Sequence, residues 1–158
     1  MSESVISKIK RVVTEQWQPQ GVAFRYLSLN QANKEVDTID TPLIMVECPD
    51  TGTLTPKRGR TIDRPTLRIW FLQPMVDADV ERELNDIDVQ YCKELAAHFI
   101  KQLNESRLFA YIPEDVPIPY VVEYCIFDRS ETGIGIDLTL EELEGINICG
   151  DFQPTDGE

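Results

Sequence analysis

The chain has 158 residues, with 28 Asp plus Glu against 15 Lys plus Arg and a formal net charge of −13. Its hydrophobic residues (42 %) and charged residues (27 %) are in globular proportion, which excludes a collagen-like chain, a disordered chain and a disulfide scaffold. No run of 18 apolar residues is present, so no membrane-spanning helix is expected. The start, Met1-Ser2-Glu3-Ser4-Val5, has neither the basic region nor the apolar stretch of a secretory signal, and the expected compartment is the cytoplasm.

Length points to one domain over residues 1–149, followed by a disordered tail at 150–158. The four cysteines, Cys48, Cys92, Cys125 and Cys149, are far apart and form no C-x-x-C pair. With one histidine, His98, they lack the close ligand pairs of a structural zinc site and read as reduced thiols. Cys92 and Cys125 are expected to behave as small buried hydrophobes. Charge is divided unevenly. Residues 1–72 carry 10 Lys/Arg and 8 Asp/Glu, a net of +2, whereas residues 73–158 carry 5 and 20, a net of −15. The acidic half repels phosphate, which argues against specific nucleic-acid binding. The division reads either as a soluble acidic surface or, more sharply, as a basic patch on one edge and an acidic one on another, which suits head-to-tail pairing of identical subunits.

In chain order, Ser2 to Gln16 predicts a helix. Val5, Ile6, Ile9, Val12 and Val13 repeat at helical spacing, Ser2 or Ser4 can serve as the N-cap, and Lys8, Lys10, Arg11 and Glu15 fall largely elsewhere. Pro19 and Gly21 end it. Val22 to Leu29 predicts a strand, 30–41 a polar connection, and Leu43 to Cys48 a short buried strand. Pro49 to Asp63, with Gly52, Pro56 and Gly59, predicts a long exposed loop. Thr66 to Gln73 predicts a central strand bounded by Pro65 and Pro74.

Asp77 to Asn104 predicts a helix of roughly 40 Å whose apolar stripe runs through Val80, Leu84, Ile87, Tyr91, Leu95, Phe99 and Leu103. Its acidic first turns complement the helix dipole. Residues 111–119, with three prolines, are expected to be extended. Tyr120 to Asp128 and Thr132 to Leu140 predict two strands joined by a turn at 128–131 as a hairpin. In the second of these, Ile134, Ile136, Leu138 and Leu140 alternate with Gly133, Gly135, Asp137 and Thr139. The fold class is therefore α+β, in the order α-β-β-β-α-β-β, with a mostly antiparallel or mixed sheet and the helices packed on it.

Among residues that carry chemistry, Asp79, Glu83 and Asp86 share one face of the long helix, beside Asp77, Glu81 and Asp88. A solvated, dipole-complemented helix start accounts for all six without a cation. His98 sits at the edge of the apolar stripe and reads as a partly buried boundary residue. Cys92, six residues earlier, is on another face and forms no nucleophile–base pair with it. No phosphate loop, nucleophile elbow or dinucleotide fingerprint is present. Catalytic, cofactor-binding and metal-binding residues are accordingly expected to be none. The main basic cluster is Lys57, Arg58 and Arg60 with Arg64. It reads either as a solvated loop or as an arm that meets an acidic surface, such as another copy of the chain.

The order of elements, and the closing segment Asp128-Arg129-Ser130-Glu131-Thr132-Gly133-Ile134-Gly135-Ile136-Asp137-Leu138 with the late Cys149, resemble tail-terminator (tail-completion) proteins of long-tailed phages and prophages. The resemblance covers residues 5–149 by element order, and its sequence motif is that one strand. It implies a structural subunit without catalytic residues that closes into a hexameric ring, caps the tail tube and joins other tail or neck proteins. It would be made in the host cytoplasm and incorporated into the virion tail. The long loop takes part in assembly in that family, and residues 49–63 hold its place here. The alternative is a cytoplasmic enzyme or a small-ligand- or metal-binding α+β domain that uses the long helix's carboxylates.

Overall fold

The computed structural model describes residues 3–28, 30–32, 41–74, 82–126, 131–152 and 154, with the backbone alone at 82–85 and 124–126. Helix α1 (Val5–Gln16) starts where Ser4 Oγ accepts the Ser7 N–H at 3.1 Å, so Ser4 is the N-cap. Val5, Ile9, Val12 and Val13 are buried. A 3-10 turn, Gln18–Gln20, ends at Gly21, whose φ of 84° reverses the chain. Strand β1 (Ala23–Leu27) follows, then β2 (Leu43–Glu47), β3 (Gly52–Lys57) and the 15-residue β4 (Arg60–Pro74). Helix α2 spans Arg82–Ser106. Strands β5 (Tyr120–Ile126), β6 (Glu131–Thr139) and β7 (Ile146–Asn147) complete the fold.

The main sheet runs β1-β2-β4-β6-β5 and is mixed: β1 is parallel to β2 and the other pairs are antiparallel. β5 and β6 form the expected antiparallel pair. Residues 128–130 of the predicted turn lie outside the described residues, and Glu131 already belongs to β6. The fold is α+β, as the patterning predicts, with two strands more than expected.

Both helices lie on one face of this sheet. The principal core joins Val5, Ile9, Val12 and Val13 of α1 to Leu95, Phe99 and Leu103 of α2. It includes Ile44, Val46, Ile69, Phe71, Ile134, Ile136 and Leu138 from the strands. Phe71 and Phe99 meet edge to face at 5.4 Å between centroids. A second cluster, Leu27, Ala32, Leu43, Met45, Trp70 and Leu72, occupies the opposite face. Burial on both faces explains why β2 reads as an uninterrupted apolar run.

Three expectations are corrected. The stretch 49–63 is not a loop: β3 pairs with residues 60–65 of β4 around a two-residue turn, Arg58-Gly59, with Gly59 at φ 79°. Gly, Pro and Thr on an exposed hairpin mimic loop composition. Pro65 does not bound β4. It lies within it, opposite Gly52, where an added Cβ on Gly52 would come 2.9 Å from Pro65 Cα.

The stripe of α2 is also displaced. Val89, Cys92, Leu95, Ala96, Phe99 and Leu103 are buried, while Ile87 and Tyr91 are 61 % and 40 % exposed. The reason is rotational. Successive steps of four advance the helix by roughly 40° each, so Ile87 lies roughly 160° around from Leu103. Val80 of the predicted stripe, with residues 77–81, lies outside the described residues. Gly150 to Phe152 have neither helix nor strand.

Candidate functional site

Strands β3, the first half of β4 and β7 form a small three-stranded extension of the main sheet, in the order β3-β4-β7. β3 is exposed along nearly its whole length and, among the described residues, pairs with β4 alone. The basic residues predicted to interact are all on this arm. Lys57 and Arg60 are cross-strand neighbours beside the turn, and Arg58 is in the turn. Like charges placed directly opposite disfavour the hairpin slightly, so its tip is not optimised for stability alone.

Two of the four cations are used within the chain. Arg60 Nη1 donates to the Leu143 carbonyl at 2.6 Å. Arg64 Nε lies 3.8 Å from Glu141 Oε2, both side chains about half exposed, a pair that contributes little. Lys57 and Arg58 have no such partner among the described residues and project from the tip. Cys149 closes the other side of the turn, its Sγ 3.4 Å from the Gly59 carbonyl.

At the base of the arm is a buried ion pair. Lys8 Nζ of α1 lies 2.8 Å from Glu142 Oε2, with 5 % and 2 % of the side chains exposed. Glu142 Oε1 also accepts the Asp63 N–H at 3.3 Å. The backbone around Glu142 is held by Ala110 N–H on the Glu141 carbonyl and Leu143 N–H on the Leu108 carbonyl. Burial, and secondarily the charge of Glu142, push the Asp63 carboxyl above its ordinary value. This pair joins α1 to the strand that carries the arm. Lys8 was read with the polar side of α1, yet it is three residues after Val5 and four before Val12, which is the helical spacing of the buried face.

A second polar group lies on the face of the main sheet opposite α1 and α2. Arg68 Nε and Nη2 donate to both oxygens of Asp137 at 2.6 and 3.0 Å. The guanidinium stands 5.7 Å from the centre of the Trp70 ring, and Trp70 Nε1 donates to Glu47. The hydrogen bond to Asp137 holds the Arg68 guanidinium above its ordinary value.

The other residues singled out from sequence are spread over α2 and its surroundings. Asp77, Asp79 and Glu81 lie outside the described residues, as does the side chain of Glu83. Asp86 is exposed, and burial pushes the Asp88 carboxyl up. Among the described residues, no three His, Cys, Asp or Glu side chains converge to hold a metal ion. His98 is exposed rather than partly buried; its ring stands edge-on to Trp17 at 6.4 Å. The side chain of Cys125 lies outside the described residues.

Cys92 is fully buried. Its thiol is pushed up to about 12, first by burial and then by the charges of Asp88 and Glu131. It is therefore a protonated core residue at neutral pH. Iodoacetamide applied to the native protein at pH 8 is expected to modify the exposed Cys149 within minutes and Cys92 only after unfolding. Peptide mass mapping reads this directly. Equal labelling rates would contradict the burial of Cys92.

Among the described residues, no helix is long and apolar enough to cross a membrane. No known protein-family profile matches the chain, and no curated protein matches it.

Proposed function

We propose that this chain is a structural, self-assembling subunit of a phage or prophage tail, of the ring-forming tail-terminator kind. It acts at the head–tail junction through protein–protein contact rather than catalysis. The observation that carries this reading is the arm. A hairpin exposed along β3 presents Lys57 and Arg58 at its tip, on a chain whose residues 73–158 carry 20 acids against 5 bases. A cationic projection and an acidic body on one subunit are complementary in a head-to-tail contact. Such a contact closes into a ring when its rotation divides the circle. The element order gives further support through its resemblance to tail terminators.

Light scattering after gel filtration tests this. The expected result is a six-subunit mass at low salt that falls at high salt, where the charged contact is screened. The double substitution Lys57→Glu with Arg58→Glu is expected to leave the circular dichroism and melting temperature unchanged and to abolish the large species. These two residues are preferable to Arg60, whose guanidinium also holds the Leu143 carbonyl. A ring that persists in the double variant would remove the arm from the interface.

A further inference from the structure

We infer that the groove between α1 and the outer edge of β1 receives an extended segment of a second copy, the chain beginning at Ile148, by strand addition. This rests on the self-assembly reading and names a contact within it. Among the described residues β1 is an edge strand of the main sheet. The Ala23 N–H bonds the Pro42 carbonyl at 2.9 Å, and the Leu27 carbonyl accepts the Cys48 N–H at 3.0 Å. In a parallel ladder, residues 23, 25 and 27 therefore spend their backbone groups on β2, and those of Phe24 and Tyr26 point outward. The Phe24 carbonyl is covered by its neighbour, Arg25 Nη1, at 2.8 Å. This removable side-chain cap suits an edge that is guarded in the free subunit and used in an assembly.

Beside this edge is an open groove of about 1040 Å³, floored by Ile6, Phe24 and Tyr26. Its charged lining residues are Lys10 and Arg25, both cations, on a chain of net charge −13. Its walls are a helix and a free strand edge, the arrangement by which peptides add to sheets.

The segment from Ile148 has the complementary pattern. Residues 148–158 contain three carboxylates and no Lys or Arg. Ile148 is 53 % exposed and Phe152 88 % exposed. In an extended strand, Ile148, Gly150 and Phe152 face one way and Cys149 and Asp151 the other. Laid along β1, the apolar set meets Ile6 and Tyr26 on the α1 side. Asp151 then falls on the opposite face with Arg25, whose guanidinium can exchange the Phe24 carbonyl for a carboxylate. Among the described residues of one chain the two partners stay apart, since Phe152 is exposed while the groove is open, and this assigns the segment to a neighbour.

The test uses the intact chain. Phe152→Asp disables the segment without touching the core. A labelled peptide of residues 146–154 is titrated against this variant and followed by fluorescence anisotropy. Saturable one-to-one binding is expected. Tyr26→Pro, added to Phe152→Asp, should weaken it at least about tenfold. Its missing N–H points away from the sheet, so the fold is kept while a rung for the added strand is lost. Tyr26→Phe should leave binding within about twofold, and Arg25→Glu should weaken it.

The inference is overturned if the peptide fails to bind at millimolar concentration, or if Tyr26→Pro binds as well as Tyr26→Phe. Light scattering separates this contact from self-assembly as such. Assembly by the unmodified chain that is unchanged in Phe152→Asp would leave the ring reading intact and overturn the tail contact. A peptide that binds a chain that is monomeric at every concentration and salt would overturn the second copy as occupant.

Discussion

Lys8→Ala is expected to destabilise the protein by about 3–5 kcal/mol, the usual consequence of stranding one charge of a buried pair. Both side chains are almost wholly excluded from water, so Glu142 cannot be resolvated without opening the contact between α1 and the segment around Glu142. The remaining carboxylate keeps only the Asp63 N–H as a donor. Replacing both partners by apolar residues, Lys8→Met with Glu142→Leu, is expected to recover most of the loss, because no buried charge is left. The residue of the effect, about 1–3 kcal/mol, comes from the unpaired Asp63 N–H. Urea denaturation of the two variants measures the difference. A loss below about 1 kcal/mol for Lys8→Ala would mean that the pair is solvated.

Gly133→Ala is expected to cost roughly 3 kcal/mol or more, or to prevent folding. Gly133 is opposite Leu72 in the central β4–β6 ladder. A Cβ at this position would collide with the Phe71 carbonyl oxygen and come 3.1 Å from Leu72 Cα. The obstacle is backbone in the middle of a sheet buried on both faces, so nothing nearby can swing aside. At Gly135 the same change meets the Trp70 ring at 2.9 Å. A side chain can move where a strand cannot, so Gly135→Ala should be the milder of the two. Gly150→Ala, which meets nothing within 4 Å, should stay within about 0.5 kcal/mol of the parent. Thermal unfolding of the three variants orders them. A Gly133→Ala protein as stable as Gly150→Ala would contradict the β4–β6 register.

The buried ion pair and the tip residues bear on function in different ways. The Lys8–Glu142 pair ties α1 to the segment that carries the arm, so loosening it should lower assembly as well as stability. The tip residues Lys57 and Arg58 are outside this network, and their substitution separates assembly from folding. The charge of the candidate site was legible in the sequence: Lys57, Arg58, Arg60 and Arg64 do occupy one arm. Their division of labour was not. Arg60 and Arg64 are drawn to Leu143 and Glu141, about 80 residues away in the chain, and no local spacing announces such partners.

Periodicity alone determined most of the elements. Helix α1, the strands at 43–47, 120–126 and 131–139, and the α+β class follow from apolar spacing, because each face that packs on a core must be apolar. Ser4 marks where the first helical segment starts and Gly21 where it stops, since capping and positive φ are local properties. Tertiary structure alone decided what depends on distant chain. It made a hairpin of a Gly- and Pro-containing stretch, because β4 continues past Pro65 to offer β3 a ladder. It selected Val89, Cys92 and Ala96 over Ile87 and Tyr91 as the face of α2, because the sheet accepts one arc of a helix whose apolar residues wind around it. It set β1 parallel to β2 at the edge of the described sheet, and so turned the backbone groups of Phe24 and Tyr26 away from β2. Sequence spacing fixes which residues share a face; which neighbour covers that face is a property of the packed molecule.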